Sequence, residues 1–309
     1  MLRFPLIAAA IALWGLFGGA QQPQPFTAAS DLIVVPAVVL DKKGALVPGL
    51  TQADFQIFED GKAVPIATFV APAPDAAGTE DGRFLVMVLD NLSTRPEFAF
   101  RVKDIAKKFA DRMGPADVAT VIMLNGGQSS STNGPGAARA AIDRFRPAMG
   151  EMPMTPGQAA AHGLRMLGAL TQQMARSSHP RKVMVFIGKP SMFSPREAAA
   201  FADRGADLSY TWFEAIRDTG RNNVTVYAID PEGQTGNFED WSKSFAAETG
   251  GNAWSNTNNF NGAVDRIWQE SGSYYLLGYA PPINDHRVHQ IEVKVNAPNV
   301  TVRSRRARG

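Results

Sequence analysis

The chain has 309 residues, 45% of them hydrophobic, 19% charged and none of them cysteine. That composition excludes a disordered polymer, a disulfide-stapled mini-protein, thiolate zinc, iron–sulfur clusters and thiol nucleophiles. The formal charge of +2 is local in origin: without Arg3, Arg303, Arg305, Arg306 and Arg308, the 31 cations become 26 against 29 acids. A mildly acidic body argues against a nucleic-acid partner.

Residues 1–20 read as a signal peptide: Arg3, an apolar stretch from Phe4 to Phe17, then Gly18-Gly19-Ala20 before Gln21. The stretch is short for a membrane span, and no Cys follows to take a lipid. The expectation is an exported protein, periplasmic or secreted, with no stable span after cleavage. A polar lead-in occupies 21–30. Asp31 to Leu40 is a β-branched run closed by the turn Asp41-Lys42-Lys43-Gly44, and Phe55 to Phe58 is a second strand. Asp60-Gly61 predicts a hairpin, with Val64 to Val70 as the returning strand. Forty residues of β structure are too few to stand alone. Ala71 to Gly82 reads as a linker.

From Arg83 the pattern changes. Arg83 to Leu89 is a continuous apolar run, as a strand covered on both faces requires. Phe98, Val102, Ile105 and Phe109 follow helical spacing. Val118 to Leu124, Val183 to Ile187 and Val224 to Ile229 read as further strands, and Ala253-Trp254 as a short one. Between them lie helical patterns at Ala138 to Phe145, Ala160 to Leu167, after the capping box Ser194-Pro195-Arg196-Glu197, at Phe238 to Phe245 and at Phe260 to Trp268. This alternation predicts an α/β fold: an open, mainly parallel sheet with helices on both faces. Ser273 to Tyr279, Val288 to Val295 and Val300 to Arg306 return to β structure. The predicted organisation is a small discontinuous β domain of 31–70 plus 273–309, a linker at 71–82, and an α/β domain of 83–272 inserted between them. The arginines of 303–308 read as charge on an edge strand.

Enzymatic signatures are scarce: the chain has no G-x-S-x-G elbow, no phosphate-binding loop and no G-x-G-x-x-G after a strand. His286 and His289 are three apart in a predicted hairpin, where they point to opposite faces, which is awkward for one metal. His162 and His179 read as structural. In an open α/β sheet, ligands sit beyond the carboxyl ends of the strands. Asp90, Thr155 and Lys189 fall there. Thr94 with Glu97 has capping-box spacing, and Thr155 before Pro156 is an N-cap pattern.

Asp90-Asn91-Leu92-Ser93-Thr94 after the first strand, Met154-Thr155-Pro156 opening a helix, and the element order around them resemble a von Willebrand factor A domain. Val34-Val35-Pro36, Gly49-Leu50-Thr51, Phe58-Glu59-Asp60-Gly61-Lys62, Glu248-Thr249-Gly250-Gly251 and Tyr275-Leu276-Leu277-Gly278-Tyr279 resemble the bacterial "VWFA-related" exported proteins of acidobacterial type. The resemblance implies a Rossmann-like sheet and a metal-ion-dependent adhesion site of pattern Asp-x-Ser-x-Ser, a Thr in a second loop and a later Asp. On this mapping Asp90, Thr94 and Thr155 are the metal ligands if magnesium or manganese binds, with Ser93 and Lys189 completing a ligand-binding set. Leu92 stands at the middle Ser position, and the later Asp falls on Gly188 or Lys189. A lysine there would set a cation where a cation should bind, at about 4 kcal/mol per unit charge pair at 4 Å. The leading expectation is therefore a non-catalytic module with no cofactor and a degenerate adhesion site, engaging a protein or cell-surface ligand through its top loops, with Asn125 to Pro135 as contact surface. Two alternatives stand beside it: a hydrolase using Asp90 as base with Lys189 tuning it, and an envelope-assembly component binding through its β domain.

Overall fold

The computed structural model describes residues 32–72, 82–125, 132–148, 156–179, 181–188, 208–235, 241–283, 285 and 287–308. The β-branched run at the start forms Ile33–Asp41 (β1), and Phe55–Glu59 (β2) pairs with Lys62–Val64 (β3). Asp60 and Gly61 join the pair at φ 48° and 77°, the left-handed geometry of a tight hairpin turn. The single returning strand expected over 64–70 is broken. Pro65 has no N–H for the ladder, so β3 stops at Val64 and Thr68–Val70 (β4) joins a different sheet.

The chain's last strands are Tyr275–Tyr279 (β11), His289–Val295 (β12), Val300–Ser304 (β13) and Ala307–Arg308 (β14). They complete two antiparallel sheets, ordered β13-β1-β11-β4 and β14-β12-β2-β3. Val35, Ala37, Tyr275 and Leu277 of the first pack with Phe55, Ile57, Ile291 and Val293 of the second in one apolar cluster. The expected strand over 300–306 ends at Ser304, and the chain then crosses to the second sheet as β14. Two of the tail arginines are also not surface charge: Arg305 and Arg308 are buried. Arg308 pairs through Nε with Glu59 Oε2 at 2.8 Å, while Arg305 Nη1 donates to the Gly220 carbonyl. Burial lowers the Arg305 guanidinium to about 10.

Between these strands runs the central sheet: Arg83–Leu89 (β5), Val118–Met123 (β6), Thr132–Asn133 (β7), Arg181–Ile187 (β8), Val224–Ile229 (β9) and Ala253–Trp254 (β10). Its order is β10-β9-β8-β5-β6-β7, parallel except for β7. Counted within the sheet this is the doubly wound 3-2-1-4-5-6 order, with an antiparallel edge strand that the sequence reading did not contain. The helices are Ala99–Ala110 (α1), Pro135–Asp143 (α2), Pro156–Ala175 (α3), Leu208–Arg221 (α4), Trp241–Glu248 (α5) and Phe260–Gly272 (α6).

Every residue of β5 is buried, and its side chains alternate between two cores. Phe84, Val86 and Val88 pack with Leu164 and Leu167 of α3 and Trp212 and Ile216 of α4. Leu85, Met87 and Leu89 pack with Ile105 and Phe109 of α1, Ile142 of α2 and Val264 and Ile267 of α6. The period of two in the strand and the apolar stripes of the helices account for coverage on both faces. The fold is the open, mainly parallel α/β sheet with helices on both faces that the alternation of strands and helices predicts. Thr132 to Pro135, expected in a contact loop, belong to β7 and the start of α2, with Gly134 at φ 85° between them. The signal segment, the helix after Ser194 and Phe238 lie outside the described residues.

Candidate functional site

Strand order reverses between β5 and β8, which places the crevice of a doubly wound sheet beyond their carboxyl ends. Asp90 follows β5, Gly188 follows β8 and Asp230 follows β9. Sheet pairing continues one residue past the strands: Asp90 N–H donates to the Ile187 carbonyl at 3.0 Å, Gly188 N–H to Ile229 at 3.1 Å and Asp230 N–H to Trp254 at 2.9 Å. These bonds pin the backbone from which both aspartates project. Asp90 and Asp230 are each 0% exposed.

The Asp90 carboxylate turns back on its own loop. Oδ1 accepts the N–H groups of Leu92 at 3.1 Å and Ser93 at 2.9 Å, and Oδ2 accepts the Ser93 hydroxyl. This is the Asx-type turn that a short acidic side chain forms with the backbone ahead of it. Asn91 ties the loop down. Its side-chain oxygen accepts from Asn125 N–H at 3.1 Å, and its carbonyl from Ala148 N–H at 2.7 Å. Leu92 packs against the apolar core shared by α3 and α4.

Thr94 is buried and its hydroxyl has no hydrogen-bond partner among the described residues. The capping box expected with Glu97 does not form. Arg95 is extended (φ −66°, ψ 142°) because Pro96 follows it, and it occupies the N-cap position of the short 3-10 helix Pro96–Phe98. That shift leaves Thr94 one residue outside the cap.

Asp230 opens a second acidic loop. Its Oδ1 accepts Glu232 N–H at 2.8 Å, and the buried Glu232 carboxylate accepts Arg95 Nε at 3.0 Å. The hydrogen bond that Arg95 donates to Glu232 raises the Arg95 pKa above its ordinary value. Arg95 therefore joins the loop after β5 to the loop after β9. Asp230, Glu232 and Arg95 are absent from the sequence reading. A signal for Asp230 was present: Val224 to Ile229 ends in an aspartate as Arg83 to Leu89 does.

Of the predicted site residues, Asp90, Ser93 and Thr94 share this loop, whereas Thr155 and Lys189 lie outside the described residues. Gly188 offers no donor and has no room for one, since a Cβ there would sit 2.1 Å from Asp90 Cβ. Magnesium and manganese require oxygen donors in an open, near-octahedral array. Asp90 is engaged by its own loop at both oxygens, Leu92 faces the core, and Thr94 adds one neutral hydroxyl.

A second polar cluster lies in the β-sandwich. His289 Nδ1 is 2.7 Å from Asp60 Oδ2, and Nε2 is 2.8 Å from Asp285 Oδ1. Both ring nitrogens face carboxylates, and Glu59, Asp60 and His289 bring three ligand-type atoms within 4.8 Å of one another; His286 lies outside the described residues. A cleft of about 650 Å³ is lined by residues including Phe58, Asn252, Glu292, Val302 and Arg306. None of the residues that line it belongs to the crevice.

No protein-family model matches the chain, and no curated protein matches it. Solved structures do. An aerotolerance-related membrane protein from Bacteroides fragilis NCTC 9343, with multiple mutations to serines, is 16% identical. The match covers 62% of this chain and 98% of that one at a TM-score of 0.41. The conserved hypothetical protein BatB from Bacteroides thetaiotaomicron is 12% identical over 62% of this chain and 100% of that one, with a TM-score of 0.41. The manganese-loaded TRAP protein of Plasmodium vivax is 9% identical over 81% of this chain and 97% of that one, with a TM-score of 0.42. Among the described residues, no helix is long and apolar enough to cross a membrane.

Proposed function

We propose that this chain is an exported, non-catalytic binding module of the bacterial "VWFA-related" kind. It recognises a protein or cell-surface ligand through the top of its central sheet, and its metal-ion-dependent adhesion site is degenerate. In this reading residues 1–20 are removed on export, and the α/β domain of 83–272 is carried on a β domain of 31–70 plus 273–309.

One observation carries the reading: buried polar side chains gather at the switch point, yet the Asp90 carboxylate is spent on its own loop. Such groups are costly to bury, and their position is where doubly wound sheets receive ligands. Lys189 follows Gly188 in sequence and supplies, in this proposal, the positive charge that a metal supplies in a complete site.

The test is calorimetric titration of magnesium and manganese into the chelator-stripped chain and into its Lys189→Asp variant. The expected result is no heat from the parent chain and binding gained by the variant. Micromolar binding to the parent chain overturns the degenerate-site reading.

A further inference from the structure

Beside the Asp90 crevice, the beginnings of α1 and α6 gather three phenylalanines and two arginines. Phe100 is 65% exposed, more than any other large apolar side chain among the described residues. The Arg101 guanidinium carbon lies 5.2 Å from the ring centre of Phe98, 5.7 Å from that of Phe100 and 5.9 Å from that of Phe260. Arg95 lies 4.7 Å over the same Phe98 ring.

The two arginines differ in their partners. Arg95 pairs with Glu97 at 3.4 Å and with Glu232 at 3.0 Å. Arg101 Nη1 reaches only backbone carbonyls, Pro231 at 3.4 Å and Glu232 at 3.3 Å. No carboxylate pairs with Arg101 among the described residues. Its guanidinium is thus held by aromatic faces and main-chain oxygens at the rim of the sheet top, with planar donor capacity left over.

We propose that this patch is a docking surface for an acidic–apolar segment of a partner protein. A carboxylate of the partner pairs with Arg101, and the neighbouring apolar side chain lies on Phe100. The inference rests on the sheet top being the recognition face, and it names the chemistry recognised there. Two observations argue for this occupant. Arg101 has a charge without a counter-charge, and a guanidinium matches a carboxylate in shape and donor geometry. The exposed ring beside it supplies apolar area, and aromatic residues and arginine are the types enriched in interface centres.

The experiment uses the full chain and a labelled, terminally blocked peptide of alternating glutamate and leucine, read by fluorescence anisotropy. Glutamine–leucine and lysine–leucine peptides serve as counterparts. The glutamate peptide is expected to bind about tenfold or more tightly than either counterpart, with affinity falling as salt rises. Arg101→Gln and Phe100→Ser each weaken it by about tenfold or more. Arg139→Gln, a half-buried arginine of α2 that pairs with Asp111, leaves it unchanged. Undiminished binding in both patch variants, with loss in Thr94→Val, overturns the patch and leaves the sheet-top reading standing. Binding indifferent to all three overturns both. Absence of binding, or Arg101-dependent capture by anionic lipid vesicles instead, overturns the acidic–apolar partner, while the metal titration judges the sheet-top reading separately.

Discussion

A buried hydroxyl without a hydrogen-bond partner costs on the order of 1–3 kcal/mol, and Thr94 holds one at the rim of the crevice. Valine has nearly the same shape and no hydroxyl to desolvate. Thr94→Val is therefore expected to raise stability by about 1 kcal/mol, measured as an increased urea midpoint at unchanged slope. A lower midpoint would mean that the hydroxyl has a partner in solution. Glu59 and Arg308 show the opposite balance. Burial pushes the Glu59 carboxyl up, but hydrogen bonds from Arg308 and Tyr279 and the arginine's charge outweigh it, and the group ends below its usual range. Removing one member strands the other, so Glu59→Gln is expected to destabilise by about 3–5 kcal/mol. Replacing both, as Glu59→Leu with Arg308→Met, should restore most of that loss. A double-mutant cycle by denaturant unfolding checks it, and additive losses would show that the pair is not coupled.

At the scale of elements, His289 is a clasp. It starts β12, and its two ring nitrogens meet Asp60 of the β2–β3 turn and Asp285 of the preceding loop. Carboxylates only accept, so both nitrogens must donate, and the geometry selects the imidazolium. Hydrogen bonds to Asp285 and Asp60 raise the His289 pKa against desolvation and the charge of Arg308. The same contacts lower the pKa of Asp60 and of Asp285; Glu59 is the remaining facing acid, at 3.8 Å. The histidine's raised folded pKa gives stability that is complete below the unfolded value near 6.5 and is lost as pH climbs through the folded one. The lowered aspartate values give stability complete above their unfolded value of 3.8 and lost as pH falls through the folded ones. Amide-exchange protection of peptides containing Asp285 and Arg287 should therefore be greatest at weakly acidic pH and decline toward alkaline pH. His289→Gln should remove that decline. Protection in the parent chain that stays flat from weakly acidic to alkaline pH would refute the clasp.

At the scale of the whole molecule, legibility follows the range over which each decision is made. β5, β8 and β9 are legible because burial on two faces leaves an unbroken apolar run in the strand itself, and the β2–β3 turn because Asp60-Gly61 carries its own geometry. β4, β7 and β14 are two or three residues long, too short for any period, and each exists only through the strand it pairs with. The Glu59–Arg308 contact spans 249 positions, so the burial of a tail arginine is invisible along the sequence. The site divides in the same way: Asp90 is readable at its strand end, whereas the Arg95–Glu232 bond spans 137 positions. This long-range closure makes the last strands indispensable. β13 covers one edge of β1 through Ala37 to Asp41, and β14 covers β12. Arg303 pairs with the buried Glu270, whose carboxyl burial pushes up and whose charge Arg303 and Arg266 oppose. Ending the chain at residue 298 removes both strands, bares the β1 edge for association and strands Glu59 and Glu270 without Arg308 and Arg303. The truncated chain is expected to lose its cooperative thermal transition and to aggregate, while Arg306→Gln, at an exposed tail position, melts like the parent. Circular dichroism melts with light scattering decide it. A truncated chain that stays monomeric and melts within a few degrees of the parent would show that the sandwich closes without its C-terminal strands.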